Sequence, residues 1–154
     1  MHLNEFLDFE AIKPGLSAGN KRALLQQLCN FAAQRLGLES SAILETVGER
    51  EKLGPTGFGD GVAIPHGKVE GLSRIYCLFV RLSEPIRYKA VDGRPVDLVF
   101  LLLSPPEAGV EHLKALAAIS RVVRHAPTLE KMRGARSRDA LAAVLMGADE
   151  RDAA

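Results

Sequence analysis

The sequence predicts a single-domain α/β sandwich, with a mixed parallel and antiparallel β-sheet flanked by helices on both faces. Three observations carry that prediction. Segments with apolar residues at helical spacing stand near both ends of the chain. Short apolar runs rich in β-branched residues stand between them. An Asp-Gly dipeptide between two of those runs marks an antiparallel turn. The 154 residues suit one domain with its own core, and 47% hydrophobic with 25% charged residues is an ordinary globular balance. Positions 1–146 read as the domain, and 147–154 as a polar tail that frays.

The elements follow in chain order. Lys21 to Leu36 reads as an amphipathic helix, with Leu24, Leu25, Leu28, Phe31 and Ala32 at helical spacing, Asn20 as N-cap and Gly37 as the stop. Ser41 to Val47 reads as a second helix, with Ile43, Leu44 and Val47 on one side. Strands are expected at Val62–Ile64, Ile75–Leu82 and Val96–Leu103, the last so continuously apolar that both its faces should be covered. Another strand, Ile86–Val91, is expected to close on the Asp92-Gly93 turn. Glu111–Arg124 reads as an amphipathic helix, and Thr128–Arg133 and Ser137–Met146 as two closing helices. Ser137 is the expected N-cap of the last, with Asp139 in its first turn.

Several function classes have no support. A formal net charge of +1 gives no electrostatic case for nucleic acid or an anionic membrane. The N-terminal residues do not form a signal peptide, and the longest apolar run, Leu98–Leu103, is far short of the ~20 residues a spanning helix needs. A soluble, cytoplasmic protein is the expectation. Cys29 and Cys77 stand alone in apolar surroundings and read as buried thiols. The four histidines show no close pairing, so no metal or other cofactor is expected. No P-loop, G-x-G-x-x-G, G-x-S-x-G or HExxH pattern is present. The basic residues of the last third, from Lys114 to Arg138, read as solvated helix faces.

The chemistry-bearing stretch runs from Gly54 to Lys68. Gly54, Gly57, Gly59 and Gly61 lead into Val62-Ala63-Ile64-Pro65-His66-Gly67-Lys68, which sets a histidine between proline and glycine. Such a loop allows close approach of another molecule. Neutral imidazole is a nucleophile near pH 7, and one ring nitrogen can accept a phosphoryl group while a hydrogen bond holds the other. His112, in the first turn of its helix, can help hold an anion there or can be a surface histidine near a cap; position alone does not separate the two. Arg50 can pair with phosphoryl oxygens, but within Glu49-Arg50-Glu51-Lys52 a solvated arginine is the simpler reading.

Arg50-Glu51-Lys52, Thr56-Gly57, Gly59, Gly61, Ala63-Ile64-Pro65-His66-Gly67-Lys68, Pro95-Val96-Asp97-Leu98-Val99-Phe100 and His112-Leu113-Lys114 occur in the order found in one family. Over roughly positions 3 to 146 the chain resembles the EIIA components of the bacterial phosphotransferase system, fructose/mannitol type, and among them the nitrogen-regulatory members. The resemblance implies that His66 is phosphorylated on its tele nitrogen by the phosphohistidine of HPr or its nitrogen-branch relative NPr. It implies that His112 and Arg50 steady the phosphoryl group, and that Thr56, Gly57, Gly59 and Gly61 form the loop beside it. Targets such as potassium transport or sensor-kinase proteins would then respond to the phosphorylation state. The alternatives are a sugar-specific EIIA that passes the group to a fructose- or mannitol-type EIIB, and a binding module that is not phosphorylated. Three residues depart from the family pattern: Pro55 for serine, Phe58 for a smaller aliphatic residue, and Asp60 for asparagine. Asp60 either brings a negative charge to the site or points away from it.

Overall fold

A computed structural model describes the backbone of residues 1–153 and the side chains of residues 1–148. Two short 3-10 turns, Leu3–Glu5 and Phe9–Ala11, precede β1 (Lys13–Leu16). Two helices follow, α1 (Lys21–Leu36) and α2 (Ser40–Leu53). Next come the short strands β2 (Gly57–Gly59), β3 (Val62–Ala63) and β4 (His66–Lys68) and the long β5 (Tyr76–Ile86) and β6 (Val96–Ser104). The chain closes with α3 (Gly109–Val123), α4 (Ala126–Gly134) and α5 (Arg138–Ala153).

The sheet order is β1-β5-β6-β3-β2, with β4 also paired to β6. β5 and β6 are antiparallel, β1 runs parallel to β5, and β3 and β4 run parallel to β6. The sheet is therefore mixed, as expected. Side chains alternate between its faces, as the strand pleat requires. Leu98, Phe100 and Leu102 pack with Ala115, Ile119, Leu129 and Leu141 from α3, α4 and α5. Val99, Leu101 and Leu103 pack with Leu24, Leu28, Ile43 and Val47 from α1 and α2. Coverage on both faces explains why the β6 sequence is apolar without alternation.

Local signals set the ends of α1. Asn20 Oδ1 accepts from Ala23 N at 2.8 Å, and the Gly37 N–H returns to the Ala33 carbonyl at 2.8 Å. Ser137 Oγ likewise accepts from Ala140 N at 3.0 Å at the start of α5.

Four expectations need correction. α2 continues two turns past Val47, to Leu53, so Arg50 and Glu51 lie on the helix rather than beyond it. Residues 86–91 are not a separate strand: β5 itself extends to Ile86, and Lys89, at φ 61°, takes a left-handed conformation that ends extended structure. Asp92-Gly93 does form a turn, closed by Gly93 N to Ala90 O at 3.0 Å, but inside the longer 87–95 connection. The two-residue hairpin turn is instead Asp60-Gly61, with φ values of 55° and 81°, joining β2 to β3. Finally, α5 extends past the expected end at Met146, to Ala153, and Ala148 packs into the core with Leu141 and Leu145. Strands β1, β2 and β4 were not expected at all. Among the described residues no helix is long and apolar enough to cross a membrane.

Candidate functional site

β3 and β4 lie end to end along β6, separated by Ile64-Pro65. Val62 and Ala63 pair with Leu98 and Val99, and His66 pairs with Leu102. Pro65 offers its carbonyl to Leu102 N at 3.0 Å and has no N–H to offer in return. His66 thus opens a short strand at a break in the ladder, with its backbone held by the central strand and its side chain half-buried.

The His66 ring has a defined hydrogen-bond state. Its Nδ1 lies 2.8 Å from the Ile64 carbonyl oxygen. A carbonyl only accepts, so Nδ1 carries the hydrogen and, in the neutral ring, Nε2 keeps its lone pair. Burial pushes the His66 pKa below the usual histidine value, and the Arg50 charge pushes it further; the Ile64 carbonyl and the Glu51 carboxylate oppose them without prevailing. The ring is therefore neutral near pH 7, with a bare Nε2.

His112 stands beside it, with ring centroids 5.3 Å apart and planes 52° from parallel. It lies in the first turn of α3 and is buried, its Nδ1 2.6 Å from Ser104 Oγ. Burial, and then the His66 and Lys68 charges, lower its pKa from 6.5 to about 4. Between those values the native ring binds fewer protons than the unfolded one, so stability rises with pH through that window and is lost on acidification. At 1.36 kcal/mol per unit the loss is about 3 kcal/mol. Urea unfolding between pH 6.5 and pH 4 should therefore show wild type losing about 3 kcal/mol more than His112→Gln.

Arg50 completes the cluster from the last turn of α2. It lines the same shallow depression as His66, with Thr56, Gly57, Phe58, Ile64, Val91 and Leu116. Its Nη1 donates to the Gly54 carbonyl at 2.8 Å, and among the described residues its other N–H groups have no acceptor. Thus His66, His112 and Arg50, distant in sequence, are brought together. Of the glycine-loop residues, Thr56 and Gly57 reach the depression, whereas Gly59 and Gly61 shape the hairpin turn. A Cβ on Gly57 would sit 2.6 Å from Ala90 Cα, so this position admits glycine only. A Cβ on Gly61 would meet the Arg133 guanidinium at 2.3 Å.

Asp60 points away. Its carboxylate pairs with Arg94 at 3.2 Å, and its backbone is held by Asp92 and Arg133. The charges acting on the His66 ring are those of Arg50 and Glu51. The basic residues of the last third are likewise dispersed, Arg133 on Asp97, Arg121 on the Met1 carbonyl and Lys114 beside Glu111. His125 lies between α3 and α4, its Nδ1 2.8 Å from Thr128 Oγ1.

Two parts of this arrangement were not foreseen. One is Ser104. The other is the buried Glu51 carboxylate, which accepts from Lys21 Nζ at 2.7 Å, Tyr88 OH at 2.8 Å, Thr56 N at 3.2 Å and the Thr56 hydroxyl. A negative residue between Arg50 and Lys52 was the available signal for the second; its partner Lys21, thirty positions away, was not legible. Among the described residues no three His, Cys, Asp or Glu side chains converge as a metal site.

Comparison with known proteins gives a consistent picture. The family described as "Phosphoenolpyruvate-dependent sugar phosphotransferase system, EIIA 2" matches residues 5–147. A nitrogen regulatory protein of Bradyrhizobium diazoefficiens is 46% identical over 145 residues, covering 94% of this chain and 95% of its own. The crystal structure of nitrogen regulatory protein IIA-Ntr from Neisseria meningitidis superposes with a TM-score of 0.87 at 33% identity, over 93% of this chain and 98% of that one. The IIA mannitol structure from Escherichia coli, at 21% identity, shares the fold, with a TM-score of 0.75 over 90% of this chain and 97% of that one.

Proposed function

The chain belongs to the EIIA type 2 family of the phosphoenolpyruvate-dependent phosphotransferase system, and from that premise we propose that it is a cytoplasmic phosphocarrier and regulator whose His66 accepts a phosphoryl group on Nε2. The observation that carries the reading is the Nδ1–H bond from His66 to the Ile64 carbonyl, which leaves Nε2 bare and turns it away from the backbone. The donor is the phosphohistidine of a small carrier, NPr or HPr. The Nε2 lone pair forms a new P–N bond while the donor's P–N bond breaks, its electron pair returning to the donor ring. No proton need leave His66, because Nδ1 already holds the only ring hydrogen.

Transfer of this kind depends on positioning and charge stabilisation. Arg50, whose remaining N–H groups have no acceptor among the described residues, is the charge that meets the phosphoryl oxygens. His112 is the second steadying group. Val91, exposed, and the half-buried Phe58 and Leu116 form apolar ground around the histidine on which a carrier can dock. The nitrogen regulatory relatives support a regulatory output, in which targets such as potassium-transport or sensor-kinase proteins distinguish the phosphorylated from the free form.

Intact-mass measurement after incubation with phosphoenolpyruvate, EI and the donor carrier tests the reading. One phosphoryl group should be gained, and it should not pass on to a fructose- or mannitol-type EIIB; no gain refutes the carrier role, and onward transfer refutes the regulatory one. Asp60→Asn should change the transfer rate by no more than about twofold, since an exposed, paired carboxylate turned from the site is screened. A larger change in single-turnover rate would show that this charge reaches the site.

A further inference from the structure

Ser104 ends β6, is fully buried, and holds its Oγ 2.6 Å from His112 Nδ1. Two arrangements of hydrogen fit that contact. Either the hydroxyl donates to a bare Nδ1, or Nδ1–H donates and the hydroxyl hydrogen must find another acceptor. Among the described residues Ser104 Oγ has no second partner. An O–H left without an acceptor in the interior costs about 1–3 kcal/mol, so the first arrangement prevails.

We propose that Ser104 is a positioning residue: its hydroxyl donates to His112 Nδ1 and fixes that ring as the Nε2–H tautomer, with the N–H on the ring's outer side beside His66. The proposal rests on the phosphocarrier reading for its purpose, though not for its geometry. The neighbouring rings then hold complementary tautomers. His66, tied at Nδ1 to the Ile64 carbonyl, presents a lone pair to phosphorus. His112, tied at Nδ1 to a hydroxyl, presents an N–H to a phosphoryl oxygen. Were His112 the other tautomer, its Nε2 lone pair would face the same anion and repel it. Because burial keeps His112 uncharged near neutral pH, tautomer rather than charge decides whether it attracts or repels. Ser104 keeps its own hydrogen throughout, and no bond is made or broken at His112.

Ring-nitrogen NMR of the ¹⁵N-histidine-labelled, unphosphorylated protein reads the tautomer directly. In wild type, His112 Nδ1 should show the bare-nitrogen signature and Nε2 the protonated one, and in Ser104→Ala the two tautomers should mix. Single-turnover transfer to His66 should slow about tenfold in Ser104→Ala, the loss of one hydrogen bond's worth of transition-state stabilisation. Ser104→Thr, which keeps the donor, should show the wild-type tautomer. A protonated Nδ1 on His112 in wild type overturns the proposal, as does a Ser104→Ala ring that keeps the wild-type tautomer. If wild type takes up no phosphoryl group, the carrier reading fails, while the ring spectra still decide the tautomer.

Discussion

His66→Ala is expected to abolish phosphoryl uptake altogether, not merely to slow it. The other candidate acceptor in the cluster is poorly placed for the task. His112 has its Nδ1 held by Ser104, is 8% exposed, and carries the hydrogen that the Ser104 bond assigns to Nε2, so it lacks an accessible lone pair. Cys29 and Cys77 are buried, with thiol pKa values pushed up by desolvation, to about 12 for Cys29, so neither supplies a thiolate. His66 alone combines a neutral ring, a fixed Nδ1–H and a position at the edge of a depression. The change should leave the fold intact, since the side-chain bond lost is a single one, to the Ile64 carbonyl in the break between β3 and β4. Intact mass after incubation with phosphoenolpyruvate, EI and donor carrier, with circular dichroism as the control for folding, checks it. A folded His66→Ala protein that still gains a phosphoryl group would place the acceptor elsewhere.

Glu51→Ala should cost about 3 kcal/mol of stability and weaken phosphoryl transfer at the same time. The Glu51 side chain is 6% exposed and joins the start of α1 through Lys21, the loop before β2 through Thr56, and the 87–95 connection through Tyr88. Burial alone would raise its pKa, but hydrogen bonds from Lys21, Thr56 and Tyr88 outweigh it and hold the carboxyl below its ordinary value. The carboxylate therefore stabilises the fold above the usual carboxylate pKa, and that contribution is lost as pH falls through the lowered one. Removing one partner of a buried pair costs about 3–5 kcal/mol because the others lose their acceptor. Lys21 retains 25% exposure and recovers some water, which places this case near the lower end. For a chain of this size that is a fall in Tm of about 9 °C. Urea and thermal unfolding check the value, and a loss below about 1 kcal/mol would show that the network is not a structural joint. The transfer defect follows from position: Glu51 sits next to Arg50 on α2 and bears on the His66 ring electrostatically.

These two residues also mark what could be read from the chain. His66 announces itself by its Pro-His-Gly setting, and Arg50 and His112 join it only through the family pattern. Their proximity depends on α2 running two turns further than its apolar spacing suggests, because the charged Glu49–Lys52 segment buries Glu51 against a lysine on another helix. Ser104 gave no signal: a hydroxyl ending an apolar strand gains meaning only when α3 brings His112 back over it. In the fold, α1 and the long strands were legible because their ends and faces are set by local chemistry, such as Asn20, Gly37 and the apolar run of β6. β1 was not, since Lys-Pro-Gly-Leu has little strand character and exists as a strand through its parallel pairing with β5. The Asp-Gly signal was sound chemistry at the wrong copy. Asp60-Gly61 forms the hairpin, while Lys89 in a left-handed conformation prevents a strand before Asp92-Gly93.

The central claim is that His66 carries the phosphoryl group on Nε2. Phosphorus–nitrogen coupling in the NMR spectrum of the phosphorylated, ¹⁵N-histidine-labelled protein tests it most directly. The account predicts one phosphoryl group, coupled to His66 Nε2, with Nδ1 still protonated and bonded to the Ile64 carbonyl. Phosphorus coupled to His66 Nδ1, or to any other histidine, would contradict it.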